Sequence, residues 1–281
     1  MSINSSAGIY SSSWCAELEL HFRQRFARTV MVHCRHLGPL RVQKSFYPAE
    51  GECHVYLLHP PGGIVGGDQL SISINVEAEA RVLITTPGAG KYYRSTGAQA
   101  KQQQRLVVGT QALLEWFPQE QIIFDGAQAK SSTRVELDED AQFIGWDITC
   151  FGRPASRDYF LQGRYQTRFE LWRGEHALYI ERGLFDGGSD IFAAPWGLRG
   201  HTVVGTLLCT SKSSDLLGKL SEALYSRYAL SFSVSLLDDV MVCRYLGDST
   251  EEAKSIFAQA WQIIRPVLVG RKICRPRIWN T

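Results

Sequence analysis

Three carboxylates stand where this sequence has little reason to put charge. Asp68 sits near the end of the run HPPGGIVGGDQL, His59 to Leu70, in which two prolines are followed by two Gly-Gly pairs. Pro60 and Pro61 fix φ and the glycines free it again, so the segment specifies an unusual backbone path at an entropic cost that ordinary turns avoid. Such a path makes either a compact loop between strands or a close approach of backbone to a ligand, a partner or a buried acid, here Asp68. Asp147 falls inside the otherwise apolar GWDITCFGRP, Gly145 to Pro154. A carboxylate there is costly to bury without a partner or a task, and an ion pair with Arg153 or Arg157 is the plain structural alternative. Glu181, in ALYIERG, poses the same question. Period-two alternation sets it on the face of Tyr179 rather than with Leu178 and Ile180.

Other motifs carry less. TTPGAGKYYRS, Thr85 to Ser95, looks like a phosphate loop but has Thr85 in place of its first glycine and Tyr92 where a hydroxyl would hold magnesium. It reads as a turn followed by a basic-aromatic surface strand. His33-Cys34-Arg35-His36 offers a two-ligand edge, because alternation puts Cys34 and His36 on one face and His33 on the other. His54 and His59 read as core or loop histidines. Asp138-Glu139-Asp140 and Asp238-Asp239 read as solvated turns. There is no HExxH, no GxSxG and no clear Cys-His pair, so the chain is read as no enzyme.

The elements that must position these acids are mostly strands. Alternating or apolar runs cover Glu17–Phe22, Thr29–Cys34, Val55–Leu58, Leu70–Val76, Arg81–Thr86, Gln104–Val108 and Ala112–Trp116. They continue through Ser132–Leu137, Gln142–Asp147, Tyr165–Trp172, Ala177–Gly183 and Val203–Thr210. Regular turn signals between them belong to an all-β architecture. The last third changes period: Ser213–Tyr228 reads as a helix with Leu216, Leu217, Leu220 and Leu224 on one face. A hairpin, Phe232–Leu236 and Val240–Leu246, turns at Asp238-Asp239. A second helix opens on a capping box of Ser249 and Glu252 and stops at Pro266.

Composition excludes several classes. The chain has 281 residues, 44% hydrophobic and 21% charged, with a formal net charge of +2. Nothing in that balance suggests binding of nucleic acid or a membrane surface by bulk charge, and no apolar run is long enough to span a bilayer. The polar, Ser-rich start is not a secretory signal and reads as a flexible tail over residues 1–14, ahead of one domain over 15–281. Seven scattered cysteines without CxxC spacing fit reduced thiols in a cytoplasm, most of them small buried hydrophobes.

Taken together, HPPGGIVGGD (59–68), TTPGAGKYYRS (85–95), LEWFPQEQIIFDGA (114–127), GWDITCFGRP (145–154) and the terminal RPRIW (275–279) resemble the urease accessory protein D family, also called UreD/UreH. The resemblance implies a mainly β fold, a helix-like stack of many short strands and β-sheets with two α-helices in the C-terminal third. It implies a cytoplasmic, non-catalytic maturation factor that assembles with accessory proteins F and G, as a dimer of heterodimers with F, and docks on the urease apoprotein. No cofactor is held permanently; Ni²⁺ passes transiently to the urease site. Asp68, Asp147 and Glu181 match family positions that line an internal water-filled nickel path, with Glu50 or Glu52 as an entrance acid beside Cys53. Gly90 stands where some relatives carry a small hydroxyl residue. Arg275, Pro276, Arg277, Ile278 and Trp279 are candidates for partner binding. With 13 Phe, 11 Tyr and 7 Trp, a partner-dependent chain is expected to expose apolar surface when alone and to dissolve poorly without F.

Overall fold

A computed structural model describes residues 13–48 and 51–280. Most of the expected tail (residues 1–12), and Glu50, lie outside the described residues. The chain starts as a hairpin of β1 (Cys15–Arg25) and β2 (Arg28–Leu37); β3 (Arg41–Val42) then leads into β4 (Cys53–Leu58). From there it winds. Next come β5 (Gln69–Val76), β6 (Arg81–Thr85), β7 (Gly90–Tyr92), β8 (Ala100–Val108) and β9 (Leu113–Phe117). They are followed by β10 (Gln121–Ile123), β11 (Gln128–Leu137), β12 (Gln142–Phe151) and β13 (Arg164–Arg173).

Successive long strands alternate between two sheets. β1, β5, β8, β11 and β13 pair in parallel in one sheet, and β4, β6, β9 and β12 in the other. Each turn of the chain therefore adds one strand to each sheet, which is the expected helix-like stack. Antiparallel strands close it: β2 at one edge of the first sheet and β14 (His176–Asp186) at the other. β15 (Val203–Thr210), β17 (Val240–Gly247) and β16 (Phe232–Leu237) extend the second sheet.

Period two decides what fills the space between the sheets. In β5, Leu70, Ile72, Ile74 and Val76 point inward and are buried, while Gln69 and Ser71 face out. The second sheet is apolar on both faces, because its far side is covered by helices. Ile144, Trp146 and Ile148 of β12 alternate with inward Phe143 and pack beneath that helical layer. The layer consists of α1 (Ser214–Leu220), a π-helical turn Ser221–Tyr225, a short α2 (Ser226–Tyr228) and the long α3 (Thr250–Val269). Ile256, Phe257, Ala260, Trp261 and Ile264 of α3 are wholly buried against the sheet.

Three local expectations need correction. Pro266 does not stop the second helix. It lies in the last turn, where its missing N–H removes one bond only, and the end comes at Gly270, whose φ of 70° and N–H to the Pro266 carbonyl form the cap. The capping box is half made: Ser249 Oγ accepts from Glu252 N–H, but the Glu252 carboxylate takes the Tyr245 hydroxyl at 2.8 Å instead of turning back. The strand after TTPGAG is not a surface strand, since Tyr92 is fully buried between the sheets.

Candidate functional site

The double-glycine loop is built by close approach. A Cβ on Gly63 would lie 2.1 Å from the Tyr93 ring, and one on Gly66 would lie 2.0 Å from Ser95 Oγ and 2.7 Å from the Ala98 carbonyl. The loop thus packs backbone-tight on the segment that follows β7. Asp68, 5% exposed, holds it there: one carboxylate oxygen accepts the Trp14 N–H at 2.8 Å and the other the Val65 N–H at 3.0 Å. Trp14, read as part of the tail, is thereby tied to the loop. Burial lowers the pKa of His59 while the Asp68 charge beside it raises it. This loop and the turn at 86–91 border a cavity of about 300 Å³ whose inner wall includes Gln102, Gln104 and Gln121. Gln121 Oε1 is buried without a hydrogen-bond partner. Glycine at position 90 leaves room for it, because a Cβ there would fall 2.2 Å from that oxygen.

A polar run leads inward from this cavity. The Tyr92 hydroxyl donates to Gln102 Oε1 at 3.2 Å, Thr133 donates to Gln104 at 2.7 Å, and the Tyr92 ring lies 5.9 Å from that of Tyr165. The Tyr165 hydroxyl is buried without a partner, and burial followed by the nearby Asp147 charge pushes its pKa well up. Beyond it lies a second cavity of about 110 Å³, lined by Asp147, Thr149, Thr167, Glu181 and Thr206.

Asp147 and Glu181 meet here from opposite sheets. Asp147 faces the lumen between Gly145 and Thr149 of β12; Glu181 comes from β14, inward with Tyr179 as alternation required. Burial, then the Glu181 charge, pushes the Asp147 carboxyl up to about 6. Asp147 is half-buried in the cavity wall, and Glu181 and Arg244 beside it are partly exposed. The ion-pair alternative fails for both arginines: Arg153 binds Asp158 at 2.8 Å, and the charge acting on Asp147 is that of Glu181, with Arg157 taking no part. Glu181 is the partnered acid, with Arg244 Nη1 at 2.6 Å on one oxygen and the Tyr179 and Thr206 hydroxyls on the other.

Glu52 lies elsewhere. It is on the helix side of the second sheet, buried, with Arg265 Nη2 at 2.5 Å. Arg265 also binds Glu115 at 2.9 Å, Trp261 Nε1 donates to that same Glu115 oxygen at 2.6 Å, and burial holds the Glu115 carboxyl up at about 6. His54, beside them, is buried with neither ring nitrogen partnered, and burial with the Arg265 charge draws its pKa down to about 4. This cluster fastens α3 to the sheet and is not joined to the lumen acids.

The C-terminal candidates divide. Pro276 is buried, and the Trp279 ring lies 5.4 Å from Trp146, 5.8 Å from Trp261 and 6.0 Å from Phe117, its Nε1 donating to Thr85 Oγ1 at 2.9 Å. Ile278 is half-buried, while Arg275 and Arg277 are exposed.

Arg244, Tyr165 and the three glutamines escaped sequence reading. Arg244 alternates in an ordinary way along its strand, and only pairing with β15 brings it to Glu181. KQQQRLVV did hold a signal, because Gln102 and Gln104 occupy the inward phase of an otherwise apolar alternation. Glu115 in LLEWF carried the same signal as Asp147. Among the described residues no three His, Cys, Asp or Glu side chains are arranged around an ion position, so the lumen offers loose oxygen contacts and no cage. No helix among them is long and apolar enough to cross a membrane.

Residues 15–280 match the family described as UreD urease accessory protein. Urease accessory protein UreD of Dechloromonas aromatica is 47% identical over 279 residues, 97% of this chain and 96% of that protein. The UreD proteins of Azoarcus sp. and Pseudomonas fluorescens are each 42% identical, covering 95% and 100% of this chain and 94% and 100% of their own lengths. With its family matched over nearly the whole length, the chain belongs to the UreD urease accessory proteins, which serve urease maturation and are not enzymes.

Proposed function

We propose that this chain passes Ni²⁺ through the lumen between its two sheets to the urease apoprotein, within a complex with accessory proteins F and G in the cytoplasm. The observation that carries the reading is the pairing of Asp147 and Glu181 on one cavity, with only Glu181 neutralised by a cation. An ionised Asp147 has no protein counter-charge, so a hydrated divalent ion is favoured there. Carboxylate and hydroxyl oxygens hold such an ion weakly enough to release it, where thiolates and imidazoles would retain it. The Gln121 oxygen on the outer cavity and the buried Tyr165 hydroxyl, with Ser131, Thr149 and Thr167 beside it, supply further polar contacts. Asp68 takes a positioning part: its oxygens are occupied by backbone N–H groups, and it holds the loop at the rim of the outer cavity. The F subunit pairs with this chain in a dimer of heterodimers, covering exposed apolar side chains such as Trp196 and Leu161.

The test is reconstitution of urease with Asp147→Asn/Glu181→Gln chain. Assembly with F, G and apo-urease should persist while the nickel content of recovered urease falls. Normal nickel loading would overturn the path. A bridging role without metal contact is the second reading, favoured by Arg275 and Arg277 lying exposed on a segment anchored by Trp279. On that reading the acid variants load nickel normally and loss of the two arginines breaks the complex.

A further inference from the structure

The outer face of the first hairpin brings together three metal-ligating side chains that the lumen does not use. His21 of β1 and His33 of β2 are register partners, so their side chains leave the same face of the sheet. Their rings lie 4.8 Å apart. Glu19 is two residues before His21 and shares that face; one of its oxygens is 3.0 Å from His21 Nε2 and the other 3.7 Å from His33 Nε2. The pairing shifts register beside His21, where Val32 is the extra residue, a bulge on an edge strand of the kind that re-aims a neighbouring side chain.

We infer that Glu19, His21 and His33 form an exterior binding site for a divalent transition-metal ion, separate from the internal path and independent of it. Imidazole nitrogen with one carboxylate is a donor set suited to Ni²⁺, Zn²⁺ or Cu²⁺ rather than to Mg²⁺ or Ca²⁺. As placed, Glu19 itself fills the gap with one oxygen turned to each ring, so the three donors do not yet surround one point. An ion enters by exchange: with each imidazole proton on Nδ1 both Nε2 atoms are ligands, and Glu19 closes the third position. The surroundings permit this. Arg23, next along the face, is neutralised by Glu77 through contacts of 2.5 and 2.9 Å; Arg35, opposite Glu19 in register, and Arg25, further along the same face, are cations nearby. His36 faces away from the set and contacts Arg41. All three side chains are at least a third exposed, so an ion reaches them directly from solvent.

The test is equilibrium dialysis of the full chain against Ni²⁺ alone and, separately, Zn²⁺ alone, with the bound metal counted. A chain with the lumen acids removed, Asp147→Asn/Glu181→Gln, should retain about one bound ion, and adding His21→Asn/His33→Asn should abolish it. Glu19→Gln should weaken it roughly 10-fold. Paramagnetic Ni²⁺ should broaden the ring resonances of His21 and His33 first in the unsubstituted chain. Equal metal binding with and without the two histidines, or broadening that spares them, overturns the site.

Discussion

Asp147 and Glu181 line the same cavity from opposite sheets, yet of the two acids Arg244 pairs only with Glu181. One acid is therefore satisfied by the protein, and the carboxyl of the other is pushed up to about 6 by burial and by its neighbour's charge. That asymmetry gives the lumen a titratable point.

Asp147→Asn should stabilise the chain at alkaline pH. The Asp147 carboxyl titrates at about 6 in the fold against an ordinary 3.8, so the folded state binds the proton more tightly than the unfolded state. Stability is unaffected below the lower value, falls as pH rises between the two, and stays reduced above the higher one, by about 3 kcal/mol. Urea unfolding should find the variant more stable than the parent at pH 8 and equal to it near pH 3.5. A constant difference across that range would refute the assignment.

Arg244→Gln should cost about 1 kcal/mol, since this pair is partly exposed and screened by solvent. Adding Glu181→Gln should recover most of the loss, because it removes the acid left unpaired beside Asp147. A double-mutant cycle by thermal unfolding measures the coupling. Additive losses would mean that the two side chains act independently.

Arg265→Met should be far more damaging, about 3–5 kcal/mol, because it leaves Glu52 and Glu115 buried without their shared cation. Combining it with Glu52→Gln and Glu115→Gln should restore part of the stability. Exchange of the α3 amides, followed by mass spectrometry, should rise in the single variant and fall back in the triple one.

Trp279→Ala should lower stability by about 2–3 kcal/mol and red-shift tryptophan emission, as the Trp146 and Trp261 rings lose their cover. Arg275→Ala/Arg277→Ala should leave both readings unchanged. If the arginine pair melts early as well, the exposed and anchored parts of the segment are not separable.

Gly66→Ala should destabilise by about 1–3 kcal/mol, because the new Cβ meets a backbone carbonyl at Ala98 as well as the Ser95 hydroxyl. Gly88→Ala, with open space around it, serves as the control. Unfolding midpoints of the two variants should differ clearly.

Much of this protein was legible as one-dimensional pattern. Strand after strand alternates with a buried phase, and the leucines of Ser213–Tyr228 and the apolar face of α3 follow the helical period. Such periods depend only on the geometry of the chain and survive in any tertiary context. The odd residues were legible too, since a charge in an apolar strand is improbable without a reason: Asp147, Glu181 and Glu115 all proved buried or cavity-facing. Their reasons were not legible. Glu115 and Asp147 look alike in sequence, but parity along neighbouring strands turns one toward α3 and Arg265 and the other into the lumen. Only the winding of two sheets brings β12 opposite β14, and only the antiparallel strand β17 delivers Arg244 to Glu181. Sequence by itself determined the periods, the tight glycine loop and the short set of costly acids, because these are local. Tertiary structure alone decided which acid meets a cation, which meets another acid and which clamps the distant Trp14 backbone, because partners far apart in sequence are chosen by sheet order and not by spacing.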